Sequence, residues 1–170
     1  MENNKNHKKV TIRQAAKTDF EDILALNEEL AQYLSHLTME KLEHLYDEAA
    51  MKLVVEEDGK FAGFLLGFRE GADYDSVNYT WFESHYPTFL YVDRIVITPD
   101  TQSGGLGSAL YREVFRTAQE ANVPVVTAEY NVMPPNVISE KFHNRFGFKE
   151  VGRQKIADGE KIVSLQVATL

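Results

Sequence analysis

Apolar side chains recur along this chain with two periods, and the switches between them mark out the elements. Residues 10–13 alternate as a first strand. Thr18-Asp19-Phe20-Glu21 has the spacing of a capping box, and Ile23, Leu26, Leu30, Tyr33, Leu34 and Leu37 continue from it as the stripe of a first helix. A second helix is predicted over 39–50. Residues 52–56 and 61–69 read as strands around an Asp58-Gly59 turn. Residues 70–88 form a long polar-aromatic connection, and 89–97 a strand. Residues 105–121 carry Leu106, Leu110, Val114 and Ala118 at helical spacing. Residues 123–129 read as a strand ending at Glu129. Ile138, Phe142 and Phe146 predict a helix over 136–146, with Asn136 as N-cap and Gly147 as stop. A hairpin of 148–156 with 161–168 turns at Asp158-Gly159. There is no repeat, low-complexity run or linker, so residues 1–8 are expected as a loose tail and 9–170 as one domain. Hairpins flanking βα units exclude a regular doubly wound sheet.

The segment 92–107 holds the first chemical signal. A strand runs into Pro99, then a glycine turn, then a helix start. Such a start aims unpaired N–H groups and a positive dipole end at the turn, a geometry that holds phosphate. A P-loop would need a lysine after the glycines, and none follows. A dinucleotide turn would need a third glycine after Gly105 and Gly107, and Ser108, Ala109 and Leu110 follow instead. What remains is Q-x-x-G-x-G, written Gln102-Ser103-Gly104-Gly105-Leu106-Gly107. It resembles the acyl-CoA motif of the GCN5-related N-acetyltransferases (GNAT); a glycine turn without a ligand is the bland alternative.

A second segment, Asn131-Val132-Met133-Pro134-Pro135-Asn136 with Ser139-Glu140-Lys141-Phe142-His143-Asn144-Arg145-Phe146-Gly147-Phe148, resembles the other signature of that superfamily. Within it, the chain is similar to a subgroup of uncharacterised acetyltransferases, through Asn78-Tyr79-Thr80-Trp81-Phe82 and Phe89-Leu90-Tyr91-Val92-Asp93-Arg94. The resemblance covers residues 10–168. It implies an α/β (α+β) fold with a mixed, mostly antiparallel seven-stranded sheet, helices on both faces, and the order β-α-α-β-β-β-α-β-α-β-β. It also implies acetyl-CoA as acyl donor. Ile95, Val96 and Ile97 would offer backbone to the pantetheine arm between two splayed strands. Gln102, Ser103, Gly104, Gly105, Leu106, Gly107 and Ser108 would wrap the pyrophosphate, with Asn136 and His143 along the arm.

Composition narrows the partners. The chain has 170 residues, 18 Lys plus Arg against 26 Asp plus Glu, and a formal charge of −8. That balance disfavours nucleic acid and suits a cationic amine. There is no cysteine, which removes thiolate nucleophiles, thiolate metal sites and disulfides and fits the cytoplasm. The five histidines show no ligand spacing, so no metal is expected. No apolar run approaches a membrane span, so no membrane is expected.

Transfer from a thioester to an amine needs a base for an ammonium of pKa ~10 and profits from an acid for the thiolate. The resemblance sets His143 where the family often has a tyrosine acid; packing against the cofactor is the other reading. Glu129 holds the place of a family glutamate base. Asp93 is its rival, unless it forms a salt bridge, and a water chain would make neither essential. Tyr79, Trp81 and Phe82, in the aromatic connection, are expected as an acceptor lip or as a homodimer or core surface. Asn27 and Glu28 are further acceptor candidates. Two functions remain at this point: an N-acetyltransferase acting directly in a ternary complex, or a non-catalytic acyl-CoA-binding regulatory module.

Overall fold

A computed structural model describes residues 7–170. The seven strands are β1 (Val10–Gln14), β2 (Met51–Glu57), β3 (Lys60–Arg69), β4 (Leu90–Ile97), β5 (Val125–Met133), β6 (Lys149–Ile156) and β7 (Lys161–Thr169). The helices are α1 (Phe20–Glu29), α2 (Met39–Glu48), α3 (Val77–His85), α4 (Leu106–Glu120) and α5 (Val137–Arg145). The strands form one sheet in the order β1-β2-β3-β4-β5-β7-β6, antiparallel except between β4 and β5. The expected seven-stranded mixed sheet is therefore the observed one.

Each face of the sheet carries its own core. On one, α1, α2 and α3 cover Val54, Phe64, Phe68, Tyr91, Val163, Leu165 and Val167. On the other, α4 lays Leu106, Leu110, Val114 and Ala118 against Val92, Val126 and Ala168. That stripe is the one its spacing predicts. Burial of such side chains is the main stabilising term for a fold of this size.

Four expectations change. The 70–88 connection contains a helix, α3, started by Ser76, whose hydroxyl accepts from Tyr79 N–H. The first helix stops at Glu29, although the apolar stripe runs on to Leu37; residues 30–34 turn instead. Thr18 is not its cap. It lies in a 3-10 turn, and the Asp19 carboxylate reaches back to Ala16 N–H at 2.7 Å. Ile138 is 76% exposed, so α5 faces the core through Phe142, His143 and Phe146. Of the expected tail, residues 1–6 lie outside the described residues. Lys8 is tied down, its Nζ 2.7 Å from Glu57 Oε1, and Lys9 N–H donates to Asp58 Oδ1.

Candidate active site

The β4–β5 pairing defines the site. These parallel strands pair only at Leu90–Val126 and Tyr91–Thr127. Beyond that apex β4 stays bonded to β3 as far as Ile97, and β5 to β7 as far as Met133. Their facing edges, from Val92 and from Ala128 onward, have no strand between them. A sheet edge without a partner is a row of N–H and C=O groups able to bond an extended amide-bearing ligand. Ile95, Val96 and Ile97 lie on this edge.

The splay opens toward the turn between β4 and α4. Residues Pro99–Gly104 form a 3-10 turn, begun by Thr101 N–H to Thr98 O at 3.0 Å. Gly105 then takes φ +78° as N-cap of α4, a left-handed conformation that costs other residues about 1–2 kcal/mol. The first intrahelical bond is Ala109 N–H to Gly105 O. Leu106, Gly107 and Ser108 therefore have no intrahelical acceptor for their N–H groups. These amides suit an anion. Gly107 has a second reason to be glycine, because a Cβ there would meet the Phe142 ring at 3.3 Å. Gln102 turns back onto the strand end, its Nε2 3.3 Å from Ile97 O. Asn136 caps α5, its Oδ1 accepting from Ser139 N–H at 3.1 Å.

Glu129 sits mid-strand in β5, not at a strand end, because β5 continues to Met133. Its Oε1 accepts from Tyr91 OH at 2.8 Å; Oε2 is shut off from solvent and makes no hydrogen bond of normal length, with the Asn78 amide near the carboxyl. Burial, and next the negative charge of Asp93, raise its pKa to about 8, against the pull of the Tyr91 hydroxyl and the nearby Asn78 amide.

Asp93 is the extra residue of a β-bulge. Leu66 pairs with Arg94 and Gly67 with Val92, which leaves Asp93 unopposed. The bulge lets both Tyr91 and Arg94 point to the α1 side. Asp93 Oδ1 accepts from Tyr74 OH at 2.6 Å and lies 3.4 Å from Tyr91 OH, and Oδ2 pairs with Arg94 Nε at 3.1 Å. The salt bridge weighed for Asp93 is thus present, with its sequence neighbour. Arg94, itself buried, also donates to Asn27 Oδ1 at 2.7 Å and to Ser35 O and Oγ. It ties the α1–α2 connection to the carboxylates.

His143 lies on the opposite face, among Tyr111, Tyr130, Phe142 and Phe148, with ring centroids 5.1–5.6 Å away. Nδ1 bonds Ser139 O at 2.8 Å and Nε2 bonds Tyr111 OH at 2.7 Å. The carbonyl only accepts, so Nδ1 carries the proton and Nε2 accepts from Tyr111. Burial lowers its pKa to about 4, keeping the ring neutral.

The acceptor expectations divide. Asn27 is buried beneath the site as a partner of Arg94, while Glu28 points to solvent, 3.4 Å from His36 Nδ1. Of the readings open for Tyr79, Trp81 and Phe82, their positions match core packing rather than a lip. Tyr79 and Phe82 have no exposed surface, Tyr79 OH is taken by Arg69 O, and Trp81 packs on Gly152. Tyr74, from the same segment, is the one that reaches the carboxylates. Sequence reasoning missed Tyr74, Tyr91 and Arg94 as site residues. For Arg94 a signal existed, a charge inside an apolar strand run that must find partners if buried. Among the described residues no group of three or more His, Asp or Glu side chains is placed to hold a metal, and no helix is long and apolar enough to cross a membrane.

Known proteins bear on this geometry. No curated protein matches the chain. Solved structures share its fold. Ard1 from Thermoplasma volcanium superposes with a TM-score of 0.75 at 18% identity, over 95% of this chain and 97% of that one. Arabidopsis thaliana Naa50, in complex with the bisubstrate analogue CoA-Ac-MVNAL, gives 0.74 at 13% over 95% and 99%. The ribosomal-protein-S18-alanine N-acetyltransferase from Escherichia coli gives 0.69 at 16% over 95% and 94%. The family model described as Acetyltransferase (GNAT) family matches residues 12–148, across β1 to the start of the final hairpin. The chain therefore belongs to the GNAT acetyltransferase family and is an acyltransferase.

Proposed function

We propose that the chain moves the acetyl group of acetyl-CoA directly to an amine, with both substrates bound together and Glu129 taking the amine's proton. The observation that carries this reading is the Glu129 carboxyl in the opened part of the splay, one oxygen held by Tyr91 and the other unpartnered. An alkyl ammonium has a pKa near ~10, and a base whose own pKa lies close to the working pH transfers its proton most effectively. A carboxyl raised to about 8 meets that condition.

Asp93 has a different part. With Tyr74 and Arg94 already on its oxygens, it contributes fixed negative charge beside the base, which favours a cationic acceptor. The free β4 edge at Ile95, Val96 and Ile97 and the amides of residues 105–108 fit the amide-bearing arm and pyrophosphate of acetyl-CoA. When bound, acetyl-CoA supplies the activated acyl group and a thiol leaving group. With no cysteine in the chain, acyl transfer through an enzyme thioester has no nucleophile. Both nitrogens of His143 are engaged, so we read it as a structural side chain rather than the acid. Its departure from the family's tyrosine is then no sign of lost chemistry, and the regulatory module has no observation in its favour. A single domain over 9–170, acting in the cytoplasm, belongs to the same reading.

Titration calorimetry with acetyl-CoA, followed by thiol release over a panel of primary amines, tests the proposal. Binding with turnover of at least one amine, and no burst of thiol without amine, is the expected result. Binding with no amine turned over would count against it.

A further inference from the structure

A polar row on β5 runs from the apex of the splay along its opened edge. Among the described residues, three buried side-chain atoms make no hydrogen bond: Thr127 Oγ1, Glu129 Oε2 and Asn131 Nδ2. They stand at alternate positions of one strand and therefore on one face. Directly across, β7 offers Val167, Leu165 and Val163, all apolar core residues. The neighbouring strand has nothing with which to satisfy them. A buried polar atom whose bond is never made is a cost to the fold. Where such an atom lies beyond the apex of the splay, a partner from outside the chain can complete it.

The splay sorts the three. Thr127 lies at the apex, where the β4 and β5 backbones still pair. Glu129 and Asn131 lie beyond the apex, two residues or about 7 Å apart along the strand. A carboxylate oxygen accepts, and an amide nitrogen only donates. The group that completes Glu129 is a donor, as an amine is, and the group that completes Asn131 is an acceptor. Tyr91 OH stands between the Asp93 and Glu129 carboxyls, so an uncharged oxygen suits that acceptor better than a carboxylate, which would add a third acidic group there.

We propose that Asn131 selects the acceptor substrate: the amine received by Glu129 carries an uncharged carbonyl or amide oxygen that Asn131 Nδ2 binds. This inference rests on the N-acetyltransferase reading and adds the chemistry of the acceptor's body. It separates such amines from plain alkylamines and from diamines, which the cleft's negative charge alone would welcome equally.

The test uses the full chain, acetyl-CoA and primary amines of matched length ending in carboxamide, carboxylate, ammonium or methyl. The expected kcat/KM for the carboxamide exceeds that for the methyl analogue about tenfold or more, as for other sites built to bond a substrate oxygen. Asn131→Leu should erase that difference, and Asn131→Asp should shift preference to the ammonium-ended amine. The KM for acetyl-CoA should hold in both, and matching melting curves establish that they fold. An unchanged ranking in both variants, or a change confined to the KM of acetyl-CoA, would overturn the inference and leave the enzymatic reading intact. Acetyl-CoA binding without turnover of any amine by the unsubstituted protein would overturn that reading, and this inference with it.

Discussion

His143 and Glu129 are titratable side chains withdrawn from water on opposite faces of one sheet, and they are held in opposite ways. Around His143 every polar atom has a partner: Nδ1–H donates to Ser139 O, and Nε2 accepts from Tyr111 OH. Around Glu129 one oxygen is held and one is not, with a second carboxylate nearby. A satisfied buried network rigidifies a core, whereas a half-satisfied one is a cost that a fold keeps for another purpose. On the proposed reading the contrast separates a residue that builds the domain from one that works in it, although the sequence offered both as catalytic.

The strongest way to break the contrast is Glu129→Gln. The amide keeps size and shape but cannot accept the amine's proton at neutral pH. Turnover on the true acceptor should fall about 10²–10⁴-fold, the usual worth of a positioned base. Folding should be unharmed or improved above neutral pH, where the native carboxyl is driven toward a poorly solvated charge. Full turnover by this variant would hand the role to Asp93 or to water.

His143→Ala should do the reverse. Deleting the ring opens a cavity among aromatics and leaves Tyr111 OH without its acceptor, a loss of about 2–4 kcal/mol of stability. Activity per folded molecule should remain within a few-fold. A thermal melt paired with an active-site-normalised rate separates the two effects; a rate collapse with an intact melt would restore His143 as the acid.

The same pair predicts opposed pH slopes. Glu129 holds its proton up to about 8 in the fold, against an ordinary value of 4.5 when unfolded, so the stability it contributes is full below 4.5 and is lost as pH rises toward 8. His143 is held neutral down to about 4 when folded but takes a proton near 6.5 when unfolded. Its burial therefore costs about 3 kcal/mol progressively as pH falls from 6.5 to 4. Denaturant midpoints across pH 4–9 should show both limbs, with Glu129→Gln removing the upper one and His143→Ala the lower.

How much of this was legible beforehand follows from what each feature depends on. The α4 stripe and the glycine start of that helix are local, and both stand where the sequence put them. Helix α3 was missed because Val77-Asn78-Tyr79-Thr80-Trp81-Phe82 mixes β-branched, polar and aromatic residues without a clean helical stripe; the packing of Tyr79 and Phe82 decides it. The Asp93 bulge is set by the register against β3, which no single strand reveals. Asp93's bond to Tyr74 and Glu129's to Tyr91 join residues 19 and 38 positions apart. For His143, the same residue at the same spacing serves an acid or a buttress, and only the Tyr111 and Ser139 contacts tell them apart.

The finest probe of the contrast is Tyr91→Phe. The ring is buried among Tyr79 and Phe82, with centroids 5.8 and 5.7 Å away, so the phenyl group keeps the packing. What disappears is the hydroxyl between the two carboxylates, 2.8 Å from Glu129 and 3.4 Å from Asp93. That bond favours the charged form of Glu129. Its loss should carry the ascending limb of the pH–rate profile upward by about one pH unit, the equivalent of ~1.4 kcal/mol. Above that limb the rate should return nearly to its original plateau, because the base itself is still there. A limb that stays in place or moves downward would mean that the profile reports another group, and Glu129 would lose its claim to the amine's proton.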